Sequence, residues 1–161
     1  MSTIDTLIAS YEFNRGRTLA LLDEIEQETD PRAVLAWRPG PDRAPIAWQL
    51  MHIGVTEEIF AAERLAEKPA KHKALWPRFR GGSTPDDDTP EASVIRQVLD
   101  DGRKALLATL GELSDDQLQT VPPALAEKKW RLIDVLHIIS WHEGHHQGQS
   151  HLSLNLYRVQ R

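Results

Sequence analysis

Three histidines lie within five residues near the end of the chain: His142, His145 and His146. Residues four apart on a helix are separated by about 40° around the axis and roughly 6 Å along it, so their side chains meet. On a helix, His142 and His146 can therefore direct ring nitrogens at one cation. Two neutral imidazoles aimed at one point suit Zn²⁺, Ni²⁺, Fe or Cu better than Ca²⁺ or Mg²⁺. The pair predicts a transition-metal site that needs a third ligand.

The third ligand must come from another helix, because helical bundles build metal sites from side chains on facing helices. His52 lies on the apolar face of an earlier predicted helix, in a stripe with Trp48, Val55 and Ile59. No other histidine has such a position on that helix. We therefore predict that His52, His142 and His146 form one mononuclear site.

His145 competes with His146, since it is three residues from His142 and can share a face with it. His145 and His146 are about 100° apart around the helix, so both cannot easily serve one metal. We favour His146 because it continues the apolar stripe of that helix. The stripe contains Leu132, Leu136, Ile139 and His142.

The other histidines are assigned positions outside the site. His137 is expected to be a partly buried structural residue, His72 a solvated loop residue and His151 a surface residue. Asp134 and Glu143 are candidates for a hydrogen bond to the far nitrogen of a ligating histidine, a common role of carboxylates near metal sites. A solvated helix face is the alternative for both.

The segment from His142 to His146 also satisfies the H-E-x-x-H pattern of zinc proteases. No Asp or Glu follows Glu143 in the chain, so the usual downstream carboxylate ligand is missing. The extended form of the motif requires glycine and histidine where this chain has Gln149 and Leu152. We therefore reject a protease.

The composition is that of an ordinary globular domain: 161 residues, 27% charged and 40% hydrophobic. A net charge of −5 without a basic block gives no support for nucleic-acid binding. The absence of cysteine excludes disulfides, thiolate ligands and a cysteine nucleophile. The N-terminus lacks the pattern of a signal peptide, and no apolar segment approaches membrane-spanning length. A cytoplasmic protein that does not contact membranes is expected.

Apolar residues recur at helical spacing almost throughout, and no segment shows the alternation of a strand. Long helices are predicted at about 3–28, from Ala44-Pro45 to Leu65, from Thr89-Pro90-Glu91 through Leu110, and at about 131–157. The connection at 67–89 is long enough to be functional or mobile. We predict an all-α fold, a four-helix bundle that forms one domain over residues 1–161.

Two segments make the chain similar to the DinB superfamily of small metal-binding four-helix bundles. The first is Ala47-Trp48-Gln49-Leu50-Met51-His52-Ile53-Gly54, and the second runs from Asp134 to Gln149 and contains Trp141-His142-Glu143-Gly144-His145-His146-Gln147-Gly148-Gln149. Members of that family commonly carry a histidine on helix two and an H-x-x-x-H pair on the last helix. One departure is Gln147, where a basic residue is frequent.

The resemblance implies a site of three histidines with open coordination positions. It favours one divalent transition metal, Zn or Ni, with Fe or Mn as alternatives. It also implies a thiol-dependent transferase or a hydrolase that acts on a small molecule, with a low-molecular-weight thiol as a partner and a homodimer as the assembly. The alternative is a non-catalytic metal-binding or stress-response module.

No residue is assigned a catalytic role. Aromatic and basic side chains near the loops are candidates to line a substrate pocket. They are Trp37, Trp48, Trp76, Phe79, Trp130, Trp141, Arg38 and Arg80.

Overall fold

A computed structural model describes residues 2–160, and these contain helices and no β-strand, which confirms the all-α prediction. The α-helices are α1 (Thr3–Glu26), α2 (Pro31–Ala36), α3 (Ile46–Glu58), α4 (Trp76–Phe79), α5 (Ala92–Leu110) and α6 (Leu132–Val159). A π-helix, Ile59–Leu65, extends α3. Short 3₁₀ turns occupy Lys73–Leu75, Asp115–Gln117 and Pro123–Lys128. None of the helices within residues 2–160 is long and apolar enough to cross a membrane.

The four long segments pack side by side: α3 contacts both α5 and α6, and α1 contacts α6 and α5. Gly54 and Gly102 allow the backbones of α3 and α5 to approach closely. A Cβ atom on Gly54 would lie 2.7 Å from the carbonyl oxygen of Val98, too close for any other residue without a shift of the backbone. This close approach fixes α3 against α5 and leaves another face of α3 toward α6.

The first helix begins as predicted and ends two residues early. The Ser2 hydroxyl accepts a hydrogen bond from the backbone N–H of Asp5, and the Asp5 carboxylate accepts one from the Ser2 N–H, each at 3.0 Å. Helix α2 was not predicted from the sequence. Its signal was present, because Asp30 caps the Ala33 N–H at 3.0 Å and Pro31 occupies the first turn.

Two other predicted helices differ from the observed ones by more than a shift of one or two residues at an end. The segment predicted as one α-helix up to Leu65 changes to a π-helix at Ile59. The helix predicted to begin at Thr89–Glu91 begins at Ala92, with Glu91 as its N-cap residue. Thr89 is instead buried, and the side chain of Arg78 binds the carbonyl oxygen of Asp88 at 2.9 Å, so this segment is held outside the helix.

The connection at 67–89 is tied to the body of the protein. Trp48 donates its indole N–H to the carbonyl oxygen of Arg78 at 2.9 Å, and Trp76 donates to the buried carboxylate of Glu58 at 2.9 Å. Arg78 also pairs with Asp86 at 2.8 Å. These contacts hold the end of α4 and the residues after it against α3, next to His52.

Candidate functional site

The structure brings together the three histidines singled out from the sequence. His52 projects from α3, and His142 and His146 project from one face of α6. Each pair of rings has centroids 4.5–4.7 Å apart. The Nε2 atoms of His52 and His142 are 3.0 Å apart. We name this group the histidine cluster.

The tautomer of His52 follows from its hydrogen bonds. Its Nδ1 lies 2.6 Å from the carbonyl oxygen of Phe79, which can only accept, so Nδ1 carries the proton and donates it. In the neutral ring, Nε2 is then a lone-pair donor directed at His142. Trp48 stacks on His52 at 4.6 Å between ring centroids and 19° between planes, which restricts rotation of the imidazole.

A side-chain amide sets the tautomer of His146 in the same way. Its Nδ1 is 2.5 Å from Oε1 of Gln49 and 2.9 Å from Oε1 of Gln149. Both oxygens accept, so Nδ1 donates and Nε2 keeps its lone pair. Gln49 is three residues before His52 on α3, so that one helix supplies both a member of the histidine cluster and the partner of another.

The surroundings keep the histidine cluster unprotonated. Burial, with the neighbouring imidazoles adding to the effect, lowers the pKa of His142 to about 2. Burial and the nearby rings lower the pKa of His146 to about 4. Burial also lowers the pKa of His52, against an opposing effect of the hydrogen bond to Phe79. Neutral rings near pH 7 have the free nitrogen lone pairs that a metal ion requires.

The histidine cluster fits one divalent transition metal ion. One ring nitrogen from each of His52, His142 and His146 lies within 4.8 Å of the other two. Nitrogens bound to one tetrahedral zinc ion at about 2.1 Å are roughly 3.4 Å apart. The donor set, neutral imidazoles with ordered Nδ1 hydrogen bonds on two of them, is that of zinc, nickel or iron sites.

The histidine cluster faces a cleft of about 490 Å³, a size typical of small-molecule sites. Apolar and aromatic side chains form much of its wall, and Arg64, Arg80 and Lys128 are its charged residues. No Asp or Glu among residues 2–160 lines it. The lining residues are His52, Thr56, Ile59, Phe60, Arg64, Arg80, Gly81, Leu125, Lys128, Trp130, Ile138, His142 and His146.

Glu143 and Asp134 do not contact the histidine cluster, contrary to the role considered for them. Glu143 is 1% exposed and points away from the cleft, where its carboxylate binds Arg15 and Arg103 at 2.8 and 2.5 Å. Its hydrogen bonds therefore also argue against the zinc-protease reading. Asp134 pairs with Arg131 at 2.7 Å at the start of α6. The observed partners of the Nδ1 atoms are a backbone carbonyl and amide oxygens instead.

The remaining histidines lie outside the histidine cluster, but two predictions of their surroundings were wrong. His137 is exposed rather than partly buried. His72 is packed rather than solvated: its side chain is 17% exposed, and its Nε2 is 2.8 Å from Asp101. His145 is exposed and stacks on Trp141, with ring centroids 4.8 Å apart. His151 is exposed, as predicted.

Some of the aromatic and basic candidates are at the site. Trp130 and Arg80 line the cleft, while Trp48 and Phe79 contact His52. The others lie elsewhere. Trp37 packs edge-on against Tyr157, Trp76 is in the core, Trp141 is 63% exposed, and Arg38 binds the loop residues Arg43, Asp86 and Asp87.

Sequence reasoning missed Gln49, Thr56, Arg64 and Lys128. Gln49 and Thr56 had a usable signal, because they lie three and four residues from His52 on one helix and so share its face. Arg64 and Lys128 had none, since the π-helix and the 3₁₀ turn that carry them are not visible as sequence patterns.

Comparison with known families agrees with this geometry. No curated protein sequence matches the chain. The family model of the DinB superfamily matches residues 10–150, a range that includes all of the histidine cluster. The chain belongs to the DinB superfamily.

Proposed function

We propose that this protein is a metal-dependent enzyme that transfers or hydrolyses a group on a small molecule, with a low-molecular-weight thiol as the favoured co-substrate. One observation carries the proposal: three neutral imidazoles converge at a cleft large enough for a small molecule. Zn²⁺ or Ni²⁺ is the favoured metal, with Fe or Mn as alternatives. A purely structural site would not need such a cleft.

The residues of the cleft have distinct roles in this proposal. His52, His142 and His146 hold the cation. Phe79, through its carbonyl oxygen, and Gln49 orient two of the rings by accepting their Nδ1 protons. Apolar side chains around the cluster, such as Ile138 and Phe60, limit access of water.

When bound, a divalent cation lowers the pKa of a thiol or water in its coordination sphere, so that the deprotonated nucleophile is available near neutrality. The chain itself has no cysteine, so a thiol must enter with a substrate. No carboxylate within residues 2–160 lines the cleft, so none is placed there to act as a general base.

Cobalt substitution tests the proposal. Adding a small thiol to the cobalt-loaded protein should produce a thiolate-to-cobalt charge-transfer band, which no residue of this chain can produce. The apparent affinity should increase as the pH rises toward the pKa of the free thiol and then level off. His142→Ala should abolish the band together with the metal, whereas His145→Ala should retain both.

A negative result separates the alternatives. A site that binds cobalt but shows no band with several thiols, and yet hydrolyses small esters or amides, would replace thiol transfer by hydrolysis. Cobalt binding without a thiol band or any turnover would favour the non-catalytic metal-binding module.

The homodimer and the cytoplasmic location stay predictions. For the homodimer we propose the outer face where α1 meets α6. Phe13 and Trp141 are 71% and 63% exposed there, each next to a residue of the Asn14–Ser140 hydrogen bond. Light scattering of Phe13→Glu should show a lower mass than wild type; an unchanged mass would exclude this face.

A further inference from the structure

Three cationic side chains line the cleft beside the histidine cluster: Arg64, Arg80 and Lys128. They come from the π-helix after α3, the segment after α4, and the 3₁₀ turn before α6. The cleft is thus cationic although the chain as a whole carries a net charge of −5. We name these three residues the basic rim.

The π-helix places Arg64 in the basic rim. At about 100° per residue, an α-helix would put a residue twelve positions after His52 about 120° away from it around the axis. The π-helix at Ile59–Leu65 turns less per residue, which brings Arg64 back toward the face of His52, Thr56 and Phe60. The ion pair of Arg64 with Glu63, at 3.2 Å, joins two side chains that are each more than 40% exposed, so it is weak.

Arg80 is held beside the histidine cluster because its two sequence neighbours both lie next to His52. The carbonyl oxygen of Phe79 accepts the Nδ1 proton of His52. On the other side, a Cβ atom at Gly81 would lie 3.9 Å from Cε1 of His52. The guanidinium of Arg80 is exposed and has no ion pair with any residue between 2 and 160.

The lack of an ion pair at Arg80 contrasts with two other arginines of the protein. Arg78, two residues earlier, pairs with Asp86 at 2.8 Å, and Arg96 pairs with Asp23 at 2.7 Å. Lys128, like Arg80, pairs with no carboxylate among residues 2–160. Its Nζ lies 4.5 Å from the ring centroid of Trp130, which leaves its charge at the cleft.

We propose that the substrate or the thiol co-substrate carries an oxyanion, a carboxylate or a phosphate, which the basic rim binds while the reacting atom lies at the histidine cluster. The inference rests on the proposed function. Arg guanidinium groups bind both oxyanions through paired N–H donors, and Lys adds a point charge. The rim thereby selects anionic molecules over neutral ones of the same shape.

A matched pair of thiols tests the selection. The dissociation constants of 3-mercaptopropionate and its neutral amide are measured on cobalt-loaded protein, and their ratio is compared among variants. Because a carboxylate can also reach the metal, the change of this ratio on substitution is the decisive quantity. Arg80→Gln, Arg64→Gln and Lys128→Gln should each lower the preference for the anion about three- to fivefold.

The control is Arg17→Gln, which removes the same charge from an exposed position on α1 and should leave the preference unchanged. High ionic strength should weaken the preference, because exposed charges are screened. Mercaptoethyl phosphate serves as a third ligand. The oxyanion, carboxylate or phosphate, whose thiol loses more affinity in Arg80→Gln is the one that the basic rim prefers.

A second measurement separates this inference from the proposed function. Binding of succinate and of neutral succinamide is followed by tryptophan fluorescence, without any thiol. Succinate binding that depends on Arg80, in a protein that gives no thiol band, would support the basic rim and contradict thiol chemistry. Suppose instead that the thiols give charge-transfer bands and that the ratio of the dissociation constants of acid and amide is the same in wild type and all three variants. That result would contradict the role of the basic rim and leave the proposed function standing.

Discussion

Helices α3 and α6 carry two polar clusters with opposite chemistry. One is the histidine cluster at the open cleft. The other is buried, with both arginines at the base of a second cleft, and there the carboxylates of Glu57 and Glu143 meet the guanidinium groups of Arg15 and Arg103 at 2.5–2.8 Å. We name the second the ion network. His142 and Glu143 are successive residues on α6, about 100° apart, and so belong to different clusters.

The ion network is balanced in charge without a ligand, although Nη1 of Arg103 has no hydrogen-bond partner among residues 2–160. Two negative and two positive side chains, each at most 7% exposed, balance one another, and each carboxylate contacts both arginines. Burial alone lowers the pKa of Arg15, but Glu57 and Glu143 outweigh this effect and raise it above its usual value. These charges stay in place because each has a partner.

The histidine cluster lacks such a balance. Its three rings are all bases, no carboxylate within residues 2–160 lines the cleft, and burial opposes protonation. The comparison teaches that buried polarity alone does not mark a ligand site. A ligand site is marked by a group of donor atoms that have no charge partner in the protein, and of these two clusters the histidine cluster is the one with that property.

Among the substitutions, the largest loss of stability should follow from opening the ion network. Glu143→Ala removes one carboxylate from between Arg15 and Arg103 and leaves buried positive charge, so the free energy of unfolding should fall by about 3–5 kcal/mol. Urea denaturation measures the loss. Metal stoichiometry of the folded variant should remain that of wild type, because Glu143 does not contact the histidine cluster. Unchanged stability together with loss of the metal would show that Glu143 supports the metal site rather than the ion network.

The next largest effect should be the loss of metal affinity when a residue of the histidine cluster is replaced. His52→Ala should weaken metal binding more than about a hundredfold, an estimate set above the loss seen on removing a ligand's hydrogen-bond partner. The matched control is His145→Ala, which alters an exposed ring beside Trp141 and should keep full stoichiometry. Elemental analysis and competition with a chelator measure both. Full metal content in His52→Ala would remove α3 from the site.

The sequence was sufficient to predict features that depend on the spacing of residues along one helix. The i, i+4 relation of His142 and His146 and the apolar stripe under His52 were enough to select three residues that the structure brings together. The choice between His145 and His146 also followed from helical angles. That these residues bind a metal stays a prediction.

Other features depend on contacts between distant segments and could not be predicted. Glu143 resembled a solvated or metal-supporting carboxylate because its partners, Arg15 and Arg103, lie 128 and 40 residues away. His72 resembled a solvated residue among lysines because its partner, Asp101 of α5, is distant in the sequence. The π-helix has no periodic signature at a length of seven residues, so the position of Arg64 was hidden too.

A third prediction uses the pKa values of the metal-free protein. The folded-state pKa values of His142 and His146, about 2 and 4, are below the ordinary 6.5, so the unfolded chain binds more protons as the pH falls below about 6.5. The free energy of unfolding should therefore decrease on acidification toward pH 4, by up to about 1.4 kcal/mol per pH unit for each histidine. His142→Ala should show a smaller slope; an equal slope would place the titration elsewhere.

The smallest effect should come from the amide that orients His146. Gln49→Leu keeps the approximate volume of the side chain but removes the oxygen that accepts the Nδ1 proton of His146. Metal affinity should fall about tenfold, the lower end of the range for such partners, because Gln149 still accepts at 2.9 Å. Gln149→Leu alone should have less effect on metal affinity, since Gln149 is exposed and its contact with His146 is longer.

The double variant tests whether the two amides act together. Its metal affinity should fall by more than the product of the two single losses, because only then is the ring of His146 free to turn. Affinities equal to wild type in all three variants would show that packing, rather than hydrogen bonding, orients the imidazole of His146.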